Sequence, residues 1–413
     1  MTMPDALKRP APWLILSCGA LIAIFTMGPR SGMGFFVAPL STDRGLGLEV
    51  FSLAMAIQNL LWGLGQPIAG ALADRFGMLR VFGAGLVFYG LGLWWMAHAT
   101  DPLQLYMSGG VLFGMAMAGA SFNLVIAAFG KLLPESYRPF ALGLGTAASS
   151  FGQFLFAPAT VVLIREVGWQ NTLIVFAVLM VAVIPAAMAL ATPPNATAGA
   201  GGAAPKQQSL REALAEAFGH RSYILLVAGF FVCGFHVAFI TVHLPPYLAD
   251  VGIAPIVAGW AIALIGLFNI VGSLSAGLLG GRFSRRWMLS GIYAARAVVI
   301  LVFLFTPPTA TSVLMFSAAM GLLWLSTVPL TSGLVALMFG TRWLATLYGV
   351  VFLSHQVGAF LGLAIAGYGR AAFGNYDLVW WISIALGVFA AIVHAPIVEK
   401  PVTRPGEPAP ATR

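Results

Sequence analysis

The sequence predicts an all-α membrane protein with twelve transmembrane helices in two pseudo-symmetric six-helix bundles. Three observations carry this. Of 413 residues, 60% are hydrophobic and only 8% are charged, whereas soluble globular chains carry about 25% charged residues. Twelve stretches approach or exceed the roughly 20 apolar residues that a membrane-crossing helix needs, six on each side of a polar linker. The two halves also align on one another at a constant offset of 207 residues.

The expected spans are 13–40, 51–71, 81–99, 103–129, 140–164, 172–191, 223–248, 255–279, 287–305, 312–339, 344–368 and 378–398. They divide the chain into a first bundle (1–191), a linker (192–221), and a second bundle with a short tail (222–413). Lys8 and Arg9 precede the first apolar run, and no small-residue cleavage site follows it. The expectation is a retained first helix with its N-terminus in the cytoplasm. Pro, Gly and Ala dominate the first half of the linker, which reads as a tether. Further on, Ser209 and Glu212 have capping-box spacing and predict a short helix. The Asn195-Ala-Thr sequon is discounted because this linker is expected on the cytoplasmic side.

The positive charge maps the topology. With both termini inside, cytoplasmic segments hold sixteen of the 21 lysines and arginines and outer loops hold three: Arg44, Arg165 and Arg370. That is the positive-inside bias of a protein in the cytoplasmic membrane. It removes the net charge of +8 as an argument for nucleic acid. Cys18 and Cys233 both lie in apolar runs, giving neither a disulfide framework nor metal-ligand spacing.

At the 207-residue offset, Pro39 falls on Pro246, Asp43 on Asp250 and Gly45 on Gly252. Gly65, Gly70, Arg75 and Phe76 fall on Gly272, Gly277, Arg282 and Phe283. Parallel six-helix halves are the architecture of a large transporter class that holds solute between them near the midplane. The loop Gly70-Ala-Leu-Ala-Asp-Arg-Phe-Gly-Met-Leu-Arg80 resembles the signature between the second and third helices of the major facilitator superfamily. Gly70, Asp74, Arg75, Gly77 and Arg80 fall on its pattern. The resemblance implies a conformational latch: a tight turn, with Asp74 capping or ion-pairing a neighbouring helix end. The second copy, Gly277 to Arg286, has Gly281 at the aspartate position, so the latch is expected to be asymmetric.

Within that superfamily the chain resembles bacterial relatives of the monocarboxylate porters. Pro29-Arg30-Ser31 lies where those porters have proline–lysine–serine in their first helix. Asn123, Gly130 and Lys131 match the end of their fourth helix, and Gly168-Trp169 a dipeptide before the sixth. The chain departs from them around Trp13, where their acidic-glycine-aromatic signature is absent. It departs again in the eighth helix, where Asn269 and Ser273 replace an aspartate and an arginine. The charges that the resemblance links to protons and carboxylate are therefore missing from that helix.

Arg30 is the leading candidate. A guanidinium at mid-membrane is costly and marks a functional site by default, and its fork matches a carboxylate with two hydrogen bonds. All 13 acidic residues lie in loops, tails or helix ends. The alternatives are an exogenous anion or helix carbonyls as its partner. Arg296, in the ninth helix, reads as a structural cation or as a second substrate contact.

His236 and His243 lie seven residues apart, on one face of the seventh helix. Pro245 and Pro246 are expected to break that helix, and His243 is a candidate gate or proton-linked residue. Asn123, Gln153, Asn269, Tyr348, His355 and Gln356 complete the substrate-binding candidates. Gln58, Asn59, Ser149 and the set Trp324, Thr327 and Thr331, spaced along a tenth helix, are further polar positions. Each also reads as helix-to-helix glue.

No nucleotide-binding loop, nucleophile elbow or metalloprotease motif is present, so the chain does not read as an enzyme. No metal or cofactor is expected. The resemblance implies secondary transport of a small organic anion, a monocarboxylate, by alternating access of a monomer in the bilayer. Symport with protons, anion exchange and facilitative uniport all stay open, as does the direction of transport. The rival readings are efflux of hydrophobic or amphipathic compounds and a transporter-like sensor.

Overall fold

The structure, a computed structural model, describes residues 10–134, 137–192, 208–340 and 343–402. Most of the linker and the end of the tail lie outside the described residues. Among the described residues, twelve helical spans are long and apolar enough to cross a membrane. In the first half they are Pro12–Arg44, Leu48–Phe76, Met78–His98, Pro102–Leu132, Gly143–Val167 and Trp169–Leu190. In the second half they are Arg221–Asp250, Pro255–Leu279, Arg285–Phe305, Ala310–Phe339, Thr346–Phe373 and Asp377–His394. Most extend up to about a turn beyond the apolar stretches read from the sequence, because charged and polar residues continue the helix past the hydrocarbon.

Four spans are not uniform helices. The first passes through a 3-10 turn, Met33–Phe36. The fourth opens with one α turn, Pro102–Leu105, passes into a wide-turned π segment, Tyr106–Leu112, and breaks at Ser121, whose backbone is extended. The sixth ends in a 3-10 stretch, Ile184–Leu190. The tenth breaks between Ala310–Leu323 and Thr327–Phe339. Pro329 accounts for that last break: it has no N–H for the Leu325 carbonyl, and its ring would clash with that carbonyl in a continuous helix. The spacing read across Trp324, Thr327 and Thr331 therefore straddles a break rather than lying along one helix.

Pro245 and Pro246 correct the opposite expectation. The seventh span runs unbroken from Arg221 to Asp250. The carbonyl that Pro246 cannot serve is that of Val242, and Gly34 of the first span packs against it. A methyl on Gly34 would lie 3.1 Å from the Val242 carbonyl carbon and 3.0 Å from the Pro245 ring. Glycine is what allows the two backbones this close.

Gly34 belongs to a row of close approaches along the seam between the bundles. The lysine- and arginine-rich face carries the start of the first span; the opposite face carries the end of the seventh. Toward the opposite face, Gly367 packs on Ser52 and Glu49, and Gly259 packs 3.1 Å (as a methyl) from Pro158 Cα. At mid-depth a methyl on Gly266 would meet the Ser150 carbonyl at 2.6 Å, and one on Gly63 the Gln356 side chain at 2.7 Å. Toward the basic face, Gly70 and Gly349 have nothing within 4 Å. The seam is closed at the far face and opens toward the basic face.

The repeat extends to the joints. Asp43 accepts a hydrogen bond from the Trp169 indole at 2.7 Å, and its equivalent Asp250 takes Arg370 at 2.7 Å. Asp74 of the signature loop pairs with Lys131 at the end of the fourth span. The Thr192 hydroxyl accepts from the first N–H of the third span, Met78, at 3.1 Å. The residue 207 positions later is Glu399, and it closes the equivalent N-terminus. Its carboxylate accepts from the Ser284 hydroxyl at 2.5 Å and from the N–H groups of Arg285 and Arg286 at 3.2 and 2.8 Å. The second signature loop lacks its own aspartate, and the tail brings a carboxylate to the same end of the bundle. A carboxylate at a helix N-terminus satisfies free N–H groups and complements the helix dipole.

Before the seventh span, Ser209 and Glu212 form the capping box of the helix Leu210–Gly219. Hydrogen bonds from Ser209 hold the Glu212 carboxyl below the usual carboxylate range.

Replacing Glu399 with Gln weakens the contacts to Arg285 and Arg286, and replacing it with Ala removes them. Glu399→Ala is expected to cost about 1–2 kcal/mol, and Thr192→Ala less, as caps of the two chemistries do. Thermal unfolding of the purified variants checks the order. Equal melting temperatures for Glu399→Ala and the parent would remove this role for the tail.

Candidate functional site

Arg30 enters the seam from the last turn of the first helical segment, directly after Pro29. It is half-buried. Its Nη2 donates to Asn59 Oδ1 at 2.6 Å, and the guanidinium lies over the Trp62 ring at 5.0 Å. Asn59 and Trp62 are three residues apart on the second span, so one helix face presents both. The Asn59 amide is itself fixed by donating to the Met55 carbonyl at 2.8 Å. The third span braces the first: Tyr89 donates to the Thr26 carbonyl at 2.8 Å.

The site continues across the seam. Trp62 meets Phe352 of the eleventh span edge-on at 5.6 Å. Phe352 stacks with His355 at 5.6 Å and 10° between planes. His355 Nδ1 lies 3.0 Å from Gln356 Oε1. Three buried N–H groups around this cluster have no hydrogen-bond partner among the described residues: Arg30 Nε, Trp62 Nε1 and Gln356 Nε2. All three are donors. The first two have no tautomer or rotation that would make them acceptors.

Arg296 has a different environment. It is fully buried. Its Nη2 donates to the Leu323 carbonyl at 2.6 Å and also to the Trp324 carbonyl, and its Nε reaches the Leu323 carbonyl at 3.2 Å. These carbonyls are freed where the tenth span breaks. The Cys233 sulfur lies 3.7 Å from Nη2, and the Tyr293 ring lies 5.2 Å from the guanidinium carbon. Arg296 thus closes the C-terminus of a half-helix, where the dipole favours a cation.

Arg30, His355 and Gln356 come together in the structure. His236 and His243 share a face, but it packs on the twelfth span. His236 Nε2 lies 2.8 Å from the Ser383 carbonyl, and His243 Nδ1 3.4 Å from the Tyr376 hydroxyl. Asn269 has both amide atoms engaged, with Ser150 and with the tenth-span break. Gln153 donates across the seam to the Ile262 carbonyl at 3.0 Å. Tyr348 rests near Phe230 at 6.2 Å, and half-buried Asn123 follows the break of the fourth span. Trp62 and Phe352 are the members that residue-type reasoning missed. The available signal was position: Trp62 lies one turn from Asn59, facing a half-buried cation that an electron-rich ring can accommodate.

Among the described residues, two helical bundles with one partly exposed arginine deep in the seam between them form the arrangement of a solute transporter. The family described as Major Facilitator Superfamily matches residues 19–254 and 226–413, and the chain belongs to it. It is 24% identical over 397 residues to "Uncharacterized MFS-type transporter YcxA" of Bacillus subtilis (strain 168), covering 94% of this chain and 96% of that one. It is 23% identical over 402 residues to monocarboxylate transporter 13 of Rattus norvegicus, covering 92% and 89%. Among solved structures, a bacterial homolog of the human lysosomal transporter Spinster, in an inward-facing, unoccupied conformation, superposes with a TM-score of 0.76. Its sequence identity is 15%, and the match covers 94% of this chain and 96% of that one.

The two arginines should respond oppositely to neutralisation. Arg296→Met strands the Leu323 and Trp324 carbonyls and is expected to destabilise by about 3 kcal/mol. Arg30→Met removes a charge with no anionic partner among the described residues, and should leave the melting temperature unchanged or raise it. Thermal unfolding in one detergent compares them. A loss at Arg30→Met as large as at Arg296→Met would make Arg30 a structural cation.

Proposed function

We propose that the chain is a secondary transporter that moves a small monocarboxylate across the cytoplasmic membrane by alternating access, with the basic face and both termini in the cytoplasm. The observation that carries this reading is the set of unpartnered donors at Arg30, Trp62 and Gln356. A cluster with donors to spare selects a ligand made of acceptors, and a carboxylate is the acceptor group that also neutralises a guanidinium.

The preference for one carboxylate follows from the cation count. Among the described residues, Arg30 and Arg296 are the only lysines or arginines deep in the spans, and Arg296 is engaged with the tenth-span carbonyls. A dicarboxylate would leave one charge unmatched in a low-dielectric site, which is expensive. The named monocarboxylate transporters among the relatives support the same class. The rich bias of lysine and arginine to one face supports the orientation. All acidic residues sit at span ends or outside the spans. Exchange of one anion for another requires no acid at depth, and this composition favours it over proton symport.

The test is a thermal-shift screen of purified protein against sodium salts of small monocarboxylic acids, with dicarboxylates and the corresponding neutral amides as controls. Monocarboxylates should raise the melting temperature of the parent by several degrees, as ligands well above their Kd do, and leave Arg30→Ala unmoved. Stabilisation of both proteins by the same acids would exclude Arg30 as the binding cation. Stabilisation by uncharged amphiphiles alone would favour the efflux reading. In proteoliposomes, uptake of a hit should be accelerated by a trans-loaded anion and indifferent to a pH gradient.

A further inference from the structure

The breaks in the fourth and tenth spans occupy related places in the repeat, and at each a side-chain amide from the second span of the same bundle bonds the freed backbone. In the first bundle, Gln66 of the second span donates to the Ala118 carbonyl at 3.3 Å and to the Ser121 hydroxyl at 2.8 Å. In the second bundle, Asn269 of the eighth span accepts from the Leu325 N–H at 2.9 Å. Gln66 aligns with Ser273 and Ser121 with Val328 at the repeat offset. The second device is therefore the first one displaced by about one helical turn.

The devices differ in one respect. Both contacts of Gln66 stay within the first bundle. Asn269 also donates from Nδ2 to the Ser150 hydroxyl at 2.8 Å, and Ser150 belongs to the fifth span, in the other bundle. The eighth span is held close on both sides of Asn269. Gly266 lies against the backbone of Ser150 and Phe154, and Gly272 against the carbonyl carbon of Leu322, where a methyl would approach to 2.7 Å. One planar amide therefore connects the seam between the bundles to the point where the tenth span bends. Both Asn269 and Ser150 are buried, so water does not compete for these bonds.

We infer that Asn269 is a positioning residue that couples the tilt between the two bundles to the bend of the tenth span. In the state open at the basic face, the fifth and eighth spans hold the amide between Ser150 and Leu325. A hydrogen bond lengthened from 2.8 Å to about 3.6 Å is lost. A change of tilt that separates Ser150 from Asn269 by about 1 Å therefore releases the amide from the first bundle. The Leu325 N–H then loses a fixed acceptor, and the tenth span is free to change its bend. Arg296 remains on the carbonyl side of the break throughout. Transport by a superfamily member is the only premise, and the identity of the solute does not enter.

The experiment needs no substrate. Spin labels are placed at Gly70→Cys and Gly349→Cys, which flank the open end of the seam in free space. Cys18 is replaced by Ser and the buried Cys233 is retained. Double electron–electron resonance in nanodiscs then gives the ratio of long to short distances across the basic face. Ser150→Ala, which removes only the hydroxyl that crosses the seam, should lower that ratio about five-fold, the factor that one hydrogen bond carries. Ser150→Thr, which keeps the hydroxyl, should restore it. Adding Asn269→Ala to Ser150→Ala should produce less than the product of the two single effects. An unchanged ratio in Ser150→Ala overturns the inference, as does a Thr variant that behaves like Ala. A lower melting temperature in Ser150→Ala with the ratio unmoved overturns it equally. Should Asn269→Ala fail to fold, the Ser150 pair of variants decides alone.

Discussion

The structure depends on one constraint: inside a bilayer no backbone N–H or C=O can turn to water. A continuous helix meets this requirement by itself, but a helix that bends does not. The tenth span breaks at Pro329 and exposes an N–H and two carbonyls, and polar side chains from neighbouring spans take all three. Arg296 takes the carbonyls of Leu323 and Trp324, and Asn269 takes the Leu325 N–H. Gln66 does the corresponding work for Ala118 in the fourth span. The most expensive residue in the second bundle, a buried guanidinium, is thus tied to a proline 33 positions later in the sequence.

Arg30 and Arg296 are the same residue type, each within a span, with opposite surroundings. Arg296 has backbone carbonyls on two of its nitrogens and no exposed surface. Arg30 has one side-chain amide, one indole face and partial exposure. The first is held by backbone; the second is held by one side chain of the neighbouring span and keeps exposed surface.

Much of the fold is legible in the sequence, because hydropathy, the lysine and arginine bias, and the repeat are properties of residue type. All twelve spans lie where apolar runs predict them, and the Ser209–Glu212 capping box forms as spaced. The site is less legible. The partner of Arg296 is backbone, which has no letter in a sequence, so a search for carboxylates leaves that arginine undecided. Pro245 and Pro246 look stronger than Pro329 as helix breakers, yet the paired prolines stay helical, with Gly34 packed against the carbonyl that Pro246 leaves free. Which proline bends a span is decided by its neighbours. Trp62 and Phe352 likewise read as apolar filling until the second and eleventh spans are brought together across the seam.

Thr192 and Glu399 close equivalent helices at equivalent positions of the repeat. Each six-span half therefore carries its own fastener just after its sixth span, drawn from its own residues. This is the organisation expected of a duplicated unit that was complete before it was doubled. The halves have since diverged in the chemistry of the clasp, a hydroxyl in one and a carboxylate in the other, while its location stayed fixed. What descent preserved there is an address in the chain, not a residue.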